Sequence, residues 1–437
     1  MIFAIAPIEI NQRLTPAANG SSPIASDLQS EAALATPDRY APVTPEGISM
    51  DPPTQAPERL SPDQLRDRLT QPLAIGVLVE QPHIEVKTNV AGEIWANGAP
   101  VAQLQAGVAD KAQFVAGKIA LYDPTGRALG VYSGNLTVKP DTATTASGTP
   151  AAVAVNNHPY RGDMEIMVDP QTKAGLNAVN QVPLEQYLYG VVPSEMPASW
   201  PKEALMAQAV AARTYAVANL GRHSDRGFDL YSTTADQAYQ GLADEASTST
   251  QAVDATTGVV VTYEGQPINA LFHSNSGGHT EDIKDVWGFN LPYMKGVTDY
   301  DQAAPRYHWI QDFTSAQVAA AVKHLGADVG QVTELHPAST TPFGRVSQLQ
   351  VVGTTGTTVV DGNKFRLALG LYSTLYQPTP VNSPGQPLPT DFRFDGQGWG
   401  HGLGLSQYGA RQLAANGENY KQILLHYYTG VALTTLV

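Results

Sequence analysis

The sequence predicts an α/β protein of mixed α+β character, built of several subdomains with mixed sheets around one central, alanine-rich helix beside a substrate groove. Three observations predict it. Short alternating apolar segments bounded by Gly, Pro and Asn recur from residue 72 to about 182, a long helical stretch follows Pro201, and strand and helix patterns alternate again from Tyr307. The chain has 437 residues, room for two or three domains, and its apolar fraction of 42% supports a substantial core.

Residues 1–70 are rich in Pro, Ala, Ser and Thr and too poor in aromatic and β-branched residues to offset chain entropy, so they are expected to form a disordered tether. The opening MIFAIAPIEI is apolar but lacks a basic n-region, a long h-region and a small-residue cleavage site, and no signal peptide is read in it. Order begins at LAIGVLV, and HIEVKT, GEIWA, KIALY and NLTVK make residues 71–150 a small β-rich region. A core region is expected over 151–304, where RGDMEIMV and GLNAVNQV read as strands and GVVVTYEGQPINALF as a hairpin.

The helix KEALMAQAVAARTYAVANLG has Pro201 at its start and Gly221 as its stop, with a buried stripe of Leu205, Gln208, Ala209, Ala212, Tyr215, Ala216 and Leu220. Residues 305–378 read as an inserted α/β subdomain: a strand HWIQDF, a helix from Ser315 to His324, and strands at VSQLQVVG and TTVVDG. Residues 379–437 return to the core, with a short helix opened by Leu405 or Ser406 and ended by Gly417, then another from Asn419.

A formal charge of −14 opposes binding along nucleic acid or an anionic membrane, because like charge repels at long range. No stretch reaches the roughly 18 apolar residues of a membrane helix. With no cysteine, the sequence excludes disulfides, thiolate metal sites and a cysteine nucleophile. No GxSxG elbow is present, and Ser194 has no recognisable base partner, which sets a serine triad aside.

Glu195 stands between Pro193 and Pro197, ahead of the long helix. Shielded by Met196, Trp200 and Tyr189, its carboxyl would shift toward a general-acid pKa; left in solvent, it is a residue favoured by the positive end of the helix dipole. Arg213 reads either as an ion-pair partner along the helix or as a guanidinium for a sugar hydroxyl or carboxylate. The loop FHSNSGGHTED gathers His273, Ser274, Asn275 and His279 around two glycines, a composition suited to sugar hydroxyls or to a plain turn. A zinc reading of His273 and His279 needs a third ligand from Glu281 or His401 and matches no recognised spacing. GQGWGHGLGLSQYGA fits neither nucleotide fingerprint; its glycines permit close approach to a ligand or a neighbouring element, and His401, Gln407, Tyr408 and Trp399 are its candidate contacts.

Three segments, LEQYLYGVVPSEMPASWPKEALMAQAVAARTYA, FHSNSGGHTED with VWG, and GWGHGLGLSQYGA with ILLHYYTGV, resemble in that order the blocks of the SpoIID/LytB family (sporulation stage II protein D and the amidase enhancer LytB). DQAYQG and GRVSQLQVVG through RLALGLYST are weaker matches, and the resemblance covers roughly residues 72–437. It implies a peptidoglycan lytic transglycosylase that acts outside the cytoplasm on denuded glycan strands, with Glu195 as catalytic acid. Gln208, Arg213, Tyr239, His273, Ser274, Asn275, His279, His401, Gln407 and Tyr408 are expected to line the substrate groove. No cofactor is implied, and no metal is expected, since the relatives that hold zinc use cysteines near the HSNSGG loop. The alternative is a noncatalytic wall-binding module that activates a partner amidase; a glycan hydrolase would add a second carboxylate, from Asp236 or Glu281.

Overall fold

The computed structural model describes residues 61, 65 and 70–436, so the tether expected over residues 1–70 lies outside the described residues apart from those three positions. The architecture is mixed α+β. A seven-stranded sheet takes the order 230–231, 73–81, 176–182, 163–168, 136–140, 92–96, 99–104, and a six-stranded sheet the order 158–160, 153–155, 83–88, 110–115, 118–122, 128–132. Pairing is antiparallel except where Leu73–Gln81 runs parallel to Leu230–Tyr231. The strands of the expected N-terminal β region therefore interleave with those of the expected core, because Leu73–Gln81 finds its hydrogen-bonding partners a hundred residues on, at Leu176–Val182.

The α-helices within residues 71–436 are α1 (Leu184–Glu195), α2 (Lys202–Ala218), α3 (Ser247–Asp254), α4 (Ile283–Trp287), α5 (Ser315–His324), α6 (Gly362–Leu369), α7 (Gln407–Ala415) and α8 (Tyr420–Tyr427). Their ends follow from local chemistry. Thr314 with Gln317 and Asn419 with Gln422 form capping boxes at α5 and α8, and the Ser406 hydroxyl accepts from the Gly409 amide at α7. Helix α1 was not foreseen, and it stops at Glu195 because Pro197 drives the preceding Met196 into extended backbone at φ −129°, ψ 137°.

Helix α2 is buried on every side from Ala204 to Val217, where the sequence suggested one stripe. Alanine at 204, 207, 209, 211, 212 and 216 lets α1, α3, α7, α8 and the strand Val259–Tyr263 all crowd its backbone. A second apolar core, separate from the first, gathers residues from Trp309 to Phe394. It extends past residue 378 because Asp391–Gln397 pairs with both His308–Thr314 and Tyr376–Val381.

Arg213 is fully buried and holds three elements together. Its Nε and Nη2 donate to the two carboxylate oxygens of Glu185 on α1, at 2.8 and 2.6 Å. The remaining donors reach the carbonyls of Val253 and Val259, at 3.3 and 3.2 Å. A buried guanidinium that lost this fork would leave Glu185 uncompensated. Arg213→Ala is expected to lower unfolding stability by about 3 kcal/mol, and the double variant Arg213→Met/Glu185→Leu to recover most of it, read from chemical denaturation midpoints. Gly402, at φ +77°, faces the Arg345 guanidinium so closely that any Cβ would strike it. Gly402→Ala should cost about 2 kcal/mol in the same assay.

Candidate active site

Glu195 is the last residue of α1, at the negative end of that helix rather than ahead of the positive end of the next. Residues 187, 191 and 195 follow one another at helical spacing and so share one face of α1, on which Tyr187 is fully buried. Tyr189 turns the other way: its hydroxyl donates to Asp254 at 2.7 Å, so it does not shield Glu195 as expected. Met196 and Trp200, both buried, belong to the main core.

Two donors from distant parts of the chain hold the carboxyl. The backbone N–H of Ala238 donates to Oε1 at 2.7 Å, and Gln407 Nε2 donates to Oε2 at 3.1 Å. Burial pushes the Glu195 pKa up to about 7, against these two bonds, which favour the charged form. The residue as a whole keeps intermediate exposure, while its carboxyl is enclosed by protein.

The two expected loops lie side by side. Phe272–His273 runs parallel to Leu405–Ser406, Asn275 and Trp399 exchange backbone hydrogen bonds at 3.1 and 2.8 Å, and the Tyr408 amide donates to the Ser274 carbonyl at 3.0 Å. Tyr408 packs edge-on to Trp200, their ring centres 4.8 Å apart. Thus Glu195, Gln407, Tyr408, Ser274 and Asn275 form one connected constellation. The glycines of GQGWGHGLGLSQYGA approach protein: a Cβ at Gly400 would meet His273, and one at Gly402 would meet Arg345. That is the close-packing reading of this segment.

Other expected residues serve the fold. His401 donates from Nε2 to the Phe272 carbonyl at 3.0 Å and accepts the Leu403 amide on Nδ1 at 3.0 Å; burial holds its pKa down to about 3. His273 contacts the Leu403 carbonyl through Nδ1 at 3.1 Å, and burial, followed by the neighbouring His401, keeps it neutral. His279 stacks on Phe343, with 3.4 Å between ring centres. Tyr239 is buried and donates to Asn180 at 2.9 Å. Arg213 makes the internal bonds described above in place of a sugar contact. Gln208 is sealed within α2, and neither atom of its amide has a hydrogen-bond partner among the described residues. A cavity of about 360 Å³ bordered by Glu85, Asp110, Tyr122 and Asp123 lies in the six-stranded sheet and contains none of these residues.

Sequence reading missed two contributors, the Ala238 amide and Arg345. The Ala238 amide is a backbone group, visible in sequence only as part of DQAYQG. Asp236, on the same loop, is buried and accepts from Tyr215, His223 and the Tyr231 amide at 2.9, 2.8 and 2.9 Å. Burial raises its pKa, but the His223 bond and the Arg222 charge outweigh that and hold it below the usual carboxylate value. Arg345, also buried, donates to the Ser276 carbonyl at 2.6 Å and so ties the second core to the HSNSGG loop. No helix among the described residues is long and apolar enough to cross a membrane.

The sequence model of the family described as Stage II sporulation protein matches residues 172–263, the part that holds α1, Glu195 and the Ala238 loop. A domain of unknown function matches residues 282–404, which include the second core. The chain is 34% identical over 284 residues to stage II sporulation protein D of Bacillus subtilis, an alignment covering 61% of this chain and 78% of that protein. It is 31% identical over 296 residues to the amidase enhancer of Bacillus subtilis, covering 57% of this chain and 40% of that protein. It is also 30% identical over 254 residues to an uncharacterized protein of Brachyspira hyodysenteriae, covering 58% and 67%. With the motif order, the Glu195 constellation and these alignments in agreement, the chain belongs to the SpoIID/LytB family of cell-wall remodelling proteins.

Proposed function

We propose that this protein is a peptidoglycan lytic transglycosylase that cleaves the bond after N-acetylmuramic acid in denuded glycan strands, outside the cytoplasm, with Glu195 as its general acid and base. The observation that carries the reading is the Glu195 carboxyl itself: raised to about 7 by burial and oriented at both oxygens. Protonated Glu195 gives its proton to the bridging glycosidic oxygen as the C1–O bond breaks. The resulting carboxylate then takes the proton of the muramic C6 hydroxyl as that oxygen closes on C1, leaving a 1,6-anhydro end and regenerating the acid. Tyr408, partly exposed and packed on Trp200, supplies ring surface, and Ser274, also partly exposed, supplies a hydroxyl for a sugar.

One carboxyl suffices for this chemistry, and its surroundings favour it over hydrolysis. Asp236 is buried with both oxygens occupied, and Glu281 is buried with one oxygen taken by Thr341 and the other enclosed. Neither is presented to a water that would attack C1. A partner amidase is the second reading, favoured by the name of the amidase enhancer it resembles.

Product analysis on denuded glycan tests the assignment. Anhydro-muramic ends are expected from the native protein; reducing ends would mean hydrolysis, and uncut but bound strands a wall-binding activator. Glu195→Gln, which keeps shape but has no transferable proton, should lower kcat by at least about a thousandfold, and unaltered turnover would remove Glu195 from the mechanism.

The pH dependence has a definite sign. Because the free enzyme must hold the proton, kcat/KM should fall as pH rises through about 7. The Gln407 bond stabilises the carboxylate, so its removal in Gln407→Ala should move that alkaline limb to higher pH and lower kcat by about tenfold. A limb that stays in place would show that Gln407 acts only through packing. Linkage runs the same way: a carboxyl with a raised folded-state pKa favours folding at low pH, and that contribution is lost as pH rises from about 4.5 through about 7.

A further inference from the structure

Arg306 precedes the strand His308–Thr314 and holds its guanidinium between two rings, 4.2 Å from the centre of Trp399 and 4.5 Å from the centre of Tyr372. The clamp is built from both sides. The Gly398 amide donates to the Tyr307 carbonyl at 3.1 Å, Trp309 Nε1 donates to the Gly398 carbonyl at 2.8 Å, and the Gly400 amide donates to the Tyr372 carbonyl at 2.9 Å. Trp399 and Tyr372 meet edge to face with 5.8 Å between centres. The two rings hold the guanidinium from two sides, and among the described residues Arg306 has neither a hydrogen bond nor a carboxylate partner. Among the described residues, Arg161 is by contrast paired with Glu245 and Arg393 with Asp312. Arg306 itself keeps intermediate exposure.

Its position links it to Glu195. Trp399 pairs with Asn275, the adjacent Ser274 accepts from Tyr408, and the adjacent Gln407 bonds Glu195. With consecutive Cα atoms 3.8 Å apart and paired residues about 5 Å apart, the Trp399 and Gln407 backbones lie within roughly 20 Å, the span of a short oligosaccharide. A planar, pre-oriented guanidinium with a free fork fits a carboxylate, and an acidic protein of net charge −14 needs such a local cation to hold an anionic polymer. Resting on the transglycosylase reading, which supplies the glycan, we propose that Arg306, clamped by Trp399 and Tyr372, forms a subsite for the lactyl carboxylate that each muramic residue exposes once its stem peptide is gone. In a peptide-bearing strand that carboxyl is a neutral amide, so the subsite selects denuded strands.

Binding without turnover tests this in the full chain carrying Glu195→Gln. The probes are one set of glycan oligosaccharides in three forms: free lactyl carboxylate, lactyl methylamide, and intact stem peptide. Affinity for the carboxylate form is expected to exceed that for the methylamide by at least about tenfold at low salt, with the ratio shrinking as salt rises. Adding Arg306→Gln should abolish the ratio while leaving methylamide binding within about twofold. Arg306→Lys, which keeps the charge without the planar fork, should retain part of it and serves as the folded control, its thermal midpoint being compared with that of the parent. An unchanged ratio in Arg306→Gln would overturn the proposal, as would tighter binding of the peptide-bearing form. Selective binding by a protein whose native form leaves strands uncut would instead refute the transglycosylase reading and leave the subsite standing.

Discussion

An enclosed carboxyl with two hydrogen bonds, neither more nor fewer, is the constraint around which the described structure is arranged. Enclosure alone would keep Glu195 protonated far above neutrality, and a cage of several donors would keep it ionised far below. The pair found here comes from Ala238 and Gln407, 43 and 212 residues further along the chain. Burial still dominates, which is how a pKa near 7 arises from a residue whose ordinary value is 4.5.

Delivering those two donors requires rigid support. Helix α2, packed on all sides, fixes α1 through the Arg213–Glu185 fork and fixes α7 by direct contact. Arg345 does the equivalent work for the second core, reaching the Ser276 carbonyl from a wholly buried position. Its pKa is lowered to about 10 by burial, while Glu281 and Asp301 counter that shift. Arg213 and Arg345 are thus consumed by the fold, whereas Arg306 lies in the segment matched by a domain of unknown function.

Much of the fold was legible because it rests on local signals. Ser315–His324, the helix after Ser406 and the helix after Asn419 are each announced by a capping side chain, and the strands by alternation. Helix α1 escaped notice because its two prolines suggested a rigid loop, although only Pro197 ends it; Pro193 is accommodated in the last turn. Glu195, Gln407, Tyr408, Ser274 and Asn275 were legible as chemistry-bearing types in glycine-rich or proline-bounded segments. Arg213, His401 and Tyr239 carried the same signal, yet their partners are Glu185, the Phe272 and Leu403 backbone, and Asn180. Whether a polar side chain faces a ligand or a neighbouring helix is decided by tertiary pairing, which residue type and spacing do not encode. A backbone donor such as Ala238 leaves no trace in side-chain chemistry at all.

A near-neutral pKa matters more for one carboxyl acting twice than for two acting once. In a two-carboxylate glycosidase the environments can be driven apart, one group kept protonated and the other ionised. A single group that donates a proton to the leaving oxygen and then removes one from the attacking hydroxyl is penalised by a shift in either direction, because strengthening the acid weakens the base by the same free energy. The balance of desolvation against the Ala238 and Gln407 bonds sets that compromise. On the proposed route, a third donor aimed at Glu195 would favour the carboxylate and damage the first half of the reaction, whereas loss of Gln407 favours the acid and burdens the second. Two donors in an apolar enclosure are what the one-carboxyl route requires.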